Sequence, residues 1–198
     1  MPVVVADRAL DVPHIRQEKS QWCWAACAQM IVKTCDPNNI KTQAKLVTEL
    51  WESAKDDAAN RTDIINVVEK QFTNEDTGQK IVEGKYISNP ENMTDTRMRQ
   101  ILDSGSPIIY LAGKYANNGK RESGHFRVIY GYYKQSDNKY VYLIYDPWDP
   151  VKYGNNVHYD YWRRSWQNIL DEEDIGISGV DKLPESGFTN YSGAWFIY

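Results

Sequence analysis

Cysteine and histidine are both scarce in this chain, which has three of each in 198 residues. Because three is an odd number, at least one thiol stays outside any intramolecular disulfide. This argues against a disulfide scaffold and fits a reducing compartment. A zinc site is not expected either, because Cys23 and Cys27 have the wrong spacing for a zinc knuckle and no second pair exists.

The chain also lacks long apolar runs and an excess of positive charge. Lys and Arg number 23 against 27 Asp and Glu, a net charge of −4, so we expect no nucleic-acid partner. No stretch approaches the ~20 apolar residues of a membrane span. The first residues, 1–7, have neither the basic segment nor the length of a signal peptide. We therefore expect a monomer of one domain, 1–198, that is cytoplasmic or exported by a dedicated secretion system.

One short stretch, residues 17–30, has the pattern of a loop that turns into a helix. Taking Ser20 as the N-cap of a helix over 21–33 puts Cys23 at its third position. The free N–H groups and the dipole of a helix N-terminus favour an anion there, so the thiolate of Cys23 is a candidate nucleophile. The residues after it are apolar on nearly every side, which predicts a buried central helix. The alternative is that Cys23 is only a small core residue.

The remaining chain places helices before strands, which is typical of an α+β fold. Further helices are predicted over 43–55, 63–72 and 95–102, with Thr42, Thr62 and Thr94 as N-caps and Gly105 as a left-handed cap. Predicted strands cover 107–112, 125–133, 139–145 and 193–198, with β-like sequence over 157–162 and a less defined helix over 166–172.

His125 is the best candidate base, because it opens a strand at the rim of the predicted sheet. The next strand ends at Asp146, and residues 136–138 read as the hairpin turn between the two strands. In an antiparallel hairpin the start of one strand lies beside the end of the other. Hairpin geometry alone therefore predicts that Asp146 lies next to His125 and orients its ring.

Other polar candidates have weaker claims. Asp149 is the alternative orienting residue, disfavoured because it lies beyond the strand end. His14 and His158 are interpreted as surface or structural residues. Cys27, one turn after the candidate nucleophile and facing the core, and Cys35, near the helix end, are interpreted as inert thiols.

The order of these residues resembles that of papain-like cysteine peptidases. Gln17 stands six positions before Cys23-Trp24-Ala25, and His125 and Asp146 follow. The chain is most similar to compact bacterial effector proteases and to the leader-peptide-processing domains of bacteriocin exporters. The resemblance implies a helical lobe over 17–105, whose central catalytic helix packs on a C-terminal antiparallel sheet or half-barrel over 106–198. Residues 1–16 would then pack on the β lobe.

The resemblance also implies a role for each residue. Cys23 would be the nucleophile, His125 the general base and then acid, and Asp146 the group that holds the imidazole tautomer. Gln17 and the backbone N–H of Cys23 would form the oxyanion hole, and Trp148 would shield the site from water. The chain departs from plant and animal relatives in having Gln-Trp instead of Gly-Ser before the nucleophile. It also has Asp146 where those relatives have Asn. Gln21 is a weaker candidate than Gln17 for the oxyanion donor.

Three functions fit these features. The first is an endopeptidase that cuts a protein substrate, with no cofactor or metal. The second uses the same Cys-His-Asp site for deamidation, acyl transfer or removal of ubiquitin-like tags, because all proceed through a thioester. The third is a non-catalytic module that binds peptide or glycan through its many Tyr and Trp side chains. A role as a bacterial virulence effector follows from the resemblance alone.

Overall fold

Four helices and seven strands form the part of the chain that the structure, a computed structural model, describes. The described residues are 6–74, 76–80, 82, 85–87, 94–115, 121–135, 138–148, 161–165 and 190–197. The helices are α1 (Cys23–Cys35), α2 (Gln43–Trp51), α3 (Arg61–Gln71) and α4 (Asp95–Asp103). The strands are β1 (Arg8–Ala9), β2 (Lys85–Ile87), β3 (Ile108–Tyr115), β4 (Arg121–Lys134), β5 (Tyr140–Tyr145), β6 (Tyr161–Ser165) and β7 (Asn190–Ile197).

The strands pair into one antiparallel sheet in the order β2-β7-β3-β4-β5-β6, with β1 added on β4. The helices lie before β3–β7 in the chain, and this segregation of helices from an antiparallel sheet confirms the predicted α+β class. The helix predicted over 166–172 and the residues 157–160 lie outside the described residues. None of the helices in the described part is long and apolar enough to cross a membrane.

Helix α1 is the centre of the core, as its apolar sequence predicts. All ten residues from Cys23 to Val32 are buried. The helix packs against α2, α3 and β4. A helix that is apolar on every side is stable only when other elements surround it, and here they do. The thiol at its first residue is therefore carried by a helix that is buried and packed on several sides.

The helix starts agree with the predicted N-caps at two of four sites, and Ser20 is one of the two exceptions. Thr42 and Thr94 cap α2 and α4 through their side-chain oxygens. The prediction that Thr62 caps α3 is wrong, because Asn60 takes that position. Its side-chain oxygen accepts from the backbone of Thr62 and Asp63, and the Asp63 carboxylate accepts from the Asn60 N–H. This reciprocal pair satisfies two helix-end donors at once.

A bulge in β4 decides which of its residues face the end of β5. The β4–β5 register slips by one residue at Tyr130, between Ile129 and Gly131. Val128 pairs with Tyr145, so one further step along each strand puts Arg127 opposite Asp146. Without the extra residue in β4, Val128 and not Arg127 would lie opposite Asp146, and the opposite face of β4 would point toward it.

Gly131 lets β1 approach the bulge closely. A Cβ atom at this position would lie 2.4 Å from the carbonyl oxygen of Arg8 and 2.9 Å from the Cα of Ala9. Both of these are backbone atoms, which cannot swing aside as a flexible side chain can. A side chain at this position would therefore force β1 away from β4.

Candidate active site

The nucleophile candidate, Cys23, is the first residue of α1. The prediction that Ser20 caps this helix is wrong, because Trp22 occupies the N-cap position and makes no side-chain capping bond. The Ser20 hydroxyl instead donates to the Asp56 carboxylate at 2.8 Å, and the Gln21 N–H donates to the same carboxylate at 2.9 Å. Cys23 still lies in the first turn, where backbone N–H groups have no partner within the helix.

A loop over residues 54–57, the 54–57 loop, holds the segment that leads into α1. The indole N–H groups of Trp22 and Trp24 donate to the carbonyl oxygens of Lys55 and Asp57, at 2.7 and 3.1 Å. Lys19 donates to the carbonyl of Ala54 at 2.8 Å. Together with the Asp56 carboxylate, these bonds fix the backbone on both sides of Cys23. Because the segment before α1 is held this tightly, it can keep the Cys23 thiol in one position.

Asp56→Ala should therefore destabilise the start of α1, while Asp57→Ala should not. The first change removes the acceptor for the Ser20 hydroxyl and the Gln21 N–H. We expect it to lower the free energy of unfolding by about 1 kcal/mol, the typical size of losing a side-chain acceptor at a helix start. Asp57 bonds Trp24 through its backbone, which the substitution keeps, so its loss should cost less than about 0.5 kcal/mol. Urea denaturation of both variants checks this, and equal losses would contradict it.

His125 lies between Cys23 and Asp146. Its Nε2 is 2.7 Å from Oδ1 of Asp146, and both side chains are buried. Because a carboxylate only accepts, Nε2 is the donor, which leaves Nδ1 for the Cys23 thiol. Burial alone would lower the pKa of His125, but the charge of Asp146, its hydrogen bond and the neighbouring Cys23 raise that pKa to about 9. At neutral pH the ring is therefore an imidazolium.

The Asp146 carboxylate is fully buried and bonded at both oxygens. Oδ1 also accepts the backbone N–H of Trp148 at 2.8 Å, and the Trp148 ring stands edge-on to His125 at 6.3 Å between centroids. Oδ2 accepts from Nε of Arg127 at 2.9 Å. Sequence reasoning did not identify Arg127, although its place two residues after His125 puts both on one face of β4.

The segment before α1 runs along the strand end that carries Asp146. His14 Nε2 donates to the carbonyl of Asp146 at 2.9 Å, and its ring stacks on Tyr145 at 4.7 Å between centroids. The Gln17 N–H donates to the carbonyl of Pro147 at 2.7 Å, and Arg16 donates to the next carbonyl, at 3.1 Å. His14 therefore joins the segment that carries Gln17 to the segment that carries Asp146, which is a structural role.

Gln17 is buried close to the start of α1. Its amide nitrogen lies 2.9 Å from the carbonyl oxygens of both Lys19 and Ser20. Its amide oxygen is buried and has no hydrogen-bond partner among the described residues. The side chain thus reaches the loop before Cys23, and in this structure its donors point to that loop. Gln21, the weaker oxyanion candidate, is exposed, and its N–H is bonded to Asp56.

The other two cysteines differ from Cys23 in their surroundings. Cys27 is fully buried, and burial raises the pKa of its thiol well above the usual range, so it stays protonated. Cys35 is exposed at the end of α1. Asp149 and His158 lie outside the described residues. Within the described part, no three His, Cys, Asp or Glu side chains cluster so that they could hold a metal ion.

Solved structures with the same arrangement of helices and sheet define the class of this fold. A C39-like peptidase from Bacillus anthracis has a TM-score of 0.57 at 11% identity, with 97% of each chain covered. Bromelain from Ananas comosus, in complex with the E64 inhibitor, has 0.52 at 12%, covering 93% of this chain and 92% of its own. The ragweed pollen allergen Amb a 11, a cysteine protease in its proform, has 0.51 at 12%, covering 94% and 65%. The fold is that of papain-like cysteine peptidases.

A family comparison narrows the class further. The sequence model of the Peptidase_C39 like family matches residues 9–172, most of the chain. The chain belongs to this family and is a cysteine peptidase. This finding does not fit the alternative of a non-catalytic module that binds peptide or glycan. No curated protein sequence matches it.

Proposed function

We propose that the protein is an endopeptidase that cleaves a protein substrate through Cys23, His125 and Asp146, with Gln17 in the oxyanion hole. The observation that carries this proposal is the 2.7 Å contact between His125 and Asp146, with Cys23 at the other side of the ring. Nucleophile, base and orienting group thus stand in the order that thiol catalysis requires. The substrate would lie between the helical lobe, 17–105, and the β lobe, 106–198.

The proposed reaction has two halves. The Cys23 thiolate attacks the carbonyl carbon of the scissile bond, and the oxygen of that carbonyl becomes an oxyanion. When the intermediate collapses, the C–N bond breaks, and the imidazolium of His125 gives its proton to the leaving amine. The thioester that remains is attacked by water, whose proton His125 now accepts, and Cys23 leaves as thiolate.

The oxyanion would be held by the backbone N–H of Cys23 and by the amide of Gln17. Because that amide already lies 2.9 Å from two carbonyl oxygens, it must give up one of them when it donates to an oxyanion. Those carbonyls belong to Lys19 and Ser20, in the same loop as the nucleophile. A rotation of the Gln17 side chain would therefore complete the oxyanion hole when the substrate binds.

Deamidation, acyl transfer and removal of ubiquitin-like tags are alternatives because they share the thioester. Incubation of the protein with unfolded casein separates the first two of these from peptide hydrolysis. The proposal predicts new amino termini, seen by mass spectrometry, that are absent with Cys23→Ala. Release of ammonia without new termini would instead assign deamidation. Modification of an added amine would assign acyl transfer.

The pH dependence of cleavage follows from His125. Its imidazolium must donate a proton to the leaving amine, and its pKa is raised to about 9. We therefore expect kcat/KM to fall as pH rises through about 9, and not near 6.5, where an unperturbed histidine titrates. A pH–rate profile with a peptide substrate checks this. An alkaline limb near 6.5 would show that Asp146 does not act on His125 in solution.

We also propose that the protein is monomeric and acts as an exported bacterial effector with a role in virulence. Support comes from the likeness of the Trp22–Ala26 stretch to effector proteases. Light scattering of the purified protein tests the monomer, since a dimer would double the mass. Detection of the protein outside a producing bacterium, and its loss when the dedicated secretion system is deleted, tests export. Equal release from both strains would contradict that role.

A further inference from the structure

Arg127 is a fully buried cation at the back of the candidate triad. Its Nε donates to Oδ2 of Asp146 at 2.9 Å, on the side away from His125. Its Nη1 lies 3.4 Å from the hydroxyl of Tyr110, a fully buried residue of β3. The bulge in β4 brings the Arg127 position opposite Asp146. A guanidinium is never neutral in a protein, so its charge is permanently part of the site.

Resting on the function proposed above, we propose that Arg127 is a positioning residue for the peptidase site. It acts through Asp146: it binds Oδ2, so that Oδ1 faces His125, and it supplies the cation that balances the charges buried with the triad. It does not touch the substrate or the reacting atoms.

The carboxylate geometry supports the first half of this proposal. Asp146 has two oxygens, and they serve different partners. Oδ1 takes His125 and the Trp148 N–H, while Oδ2 takes Arg127. Bonds on both oxygens fix the plane of the carboxylate, and that plane fixes the ring of His125. Without Arg127, one buried oxygen would lose a charge-assisted bond, and the plane of the carboxylate would be less firmly fixed.

Charge balance supports the second half. With a thiolate on Cys23 and an imidazolium on His125, the buried carboxylate of Asp146 leaves a net charge of −1. Arg127 brings the sum to zero. A buried cluster of side chains with a net negative charge is unfavourable in free energy, and taking up a proton reduces that penalty. Loss of Arg127 should therefore favour uptake of a proton by this buried group, which would make Cys23 less reactive toward alkylation.

The other polar groups around the site do not replace this cation. Cys27 of α1 is a neutral thiol, and Tyr110 meets Arg127 through its hydroxyl. The ring of His14 bonds the carbonyl of Asp146, and Arg16 bonds the carbonyl of Trp148, so both act on the backbone of that segment. Within the described residues, Arg127 is the arginine whose guanidinium bonds the Asp146 carboxylate.

A structural role alone would give a different result from a positioning role. An ion pair that only tied β4 to the end of β5 would change stability when removed. It would not change the pH at which Cys23 becomes reactive in protein that remains folded. The pH dependence of Cys23 reactivity is therefore the readout that separates the two roles.

The experiment measures the rate of alkylation of Cys23 by iodoacetamide against pH, in a Cys35→Ser background that removes the exposed thiol. Arg127→Met should raise the midpoint of this profile by about one pH unit or more, the size of the effect of one nearby opposite charge. Arg127→Lys should restore the midpoint, because it keeps the charge. Arg99→Met is the control: Arg99 pairs with Asp95 and lies over Tyr140, at the other end of β5.

An unchanged midpoint in folded Arg127→Met overturns the proposal. If that variant lacks the native circular dichroism spectrum, Arg127→Gln takes its place, since it keeps a donor but no charge, and the same shift is expected. The failure of this inference is distinct from failure of the proposed function. A wild-type profile in Arg127→Met, with Cys23→Ala inactive, rejects only the role of Arg127. Peptide cleavage that survives in Cys23→Ala rejects the function itself.

Discussion

Cys23→Ala is expected to remove peptide cleavage altogether. The thiol is the proposed nucleophile, and loss of the nucleophile in a comparable triad costs as much as about 10⁶-fold in rate. The protein should stay folded, because the change deletes one sulfur atom from a helix that is held by ten buried residues. The measurement is cleavage of casein or a peptide library, with circular dichroism as the check on folding.

Cys27→Ala is the matched control for that experiment. It makes the same chemical change one helical turn away, in the same buried helix. Because the Cys27 thiol stays protonated, its loss should cost some stability and leave most of the activity. Equal loss of cleavage in both variants would mean that damage to α1, and not loss of a nucleophile, explains the first result.

Asp146→Asn is expected to lower kcat by about 10²–10⁴-fold, the range seen when the orienting group of a triad is replaced. Two effects combine. The amide oxygen of Asn is a weaker acceptor for the His125 N–H than a carboxylate, and the substitution removes the charge that raises the pKa of His125. The alkaline limb of the pH profile should therefore fall from about 9 toward 6.5.

The same variant should also be less stable, because Arg127 would keep its buried charge without a carboxylate partner. Breaking a buried ion pair from one side costs about 3–5 kcal/mol. Asp103→Asn provides the control, since Asp103 accepts a 2.7 Å bond from Tyr132 on the exposed side of α4. Wild-type kcat in a folded Asp146→Asn protein would contradict the proposed role of Asp146.

The sequence was enough to predict the elements on which the site depends. The apolar run after Cys23 predicts a buried helix, and α1 confirms it. The two strands 125–133 and 139–145 are predicted as hairpin neighbours, and β4 and β5 pair as expected. Both predictions rest on local patterns, which a single sequence carries strongly.

What the sequence could not predict depends on residues far apart in the chain. Ser20 has the composition of a cap, but Asp56, 36 positions away, takes its hydroxyl. Likewise, nothing local marks the extra residue at Tyr130 that puts Arg127, and not Val128, opposite Asp146. Tertiary packing decides both which acceptor Ser20 finds and how β4 is aligned with β5. Until that alignment is known, an arginine in a β-strand is expected to face solvent.

The most direct test of this account is to react the purified protein near neutral pH with E64, the inhibitor bound in the bromelain structure, and to find the labelled residue by mass spectrometry. His125→Ala is the control. Rapid labelling of Cys23 alone, lost in the control, is expected because His125 stands beside this thiol and not beside Cys27 or Cys35. Absence of labelling, or equally slow labelling of Cys23 and the exposed Cys35, would contradict a Cys–His peptidase site.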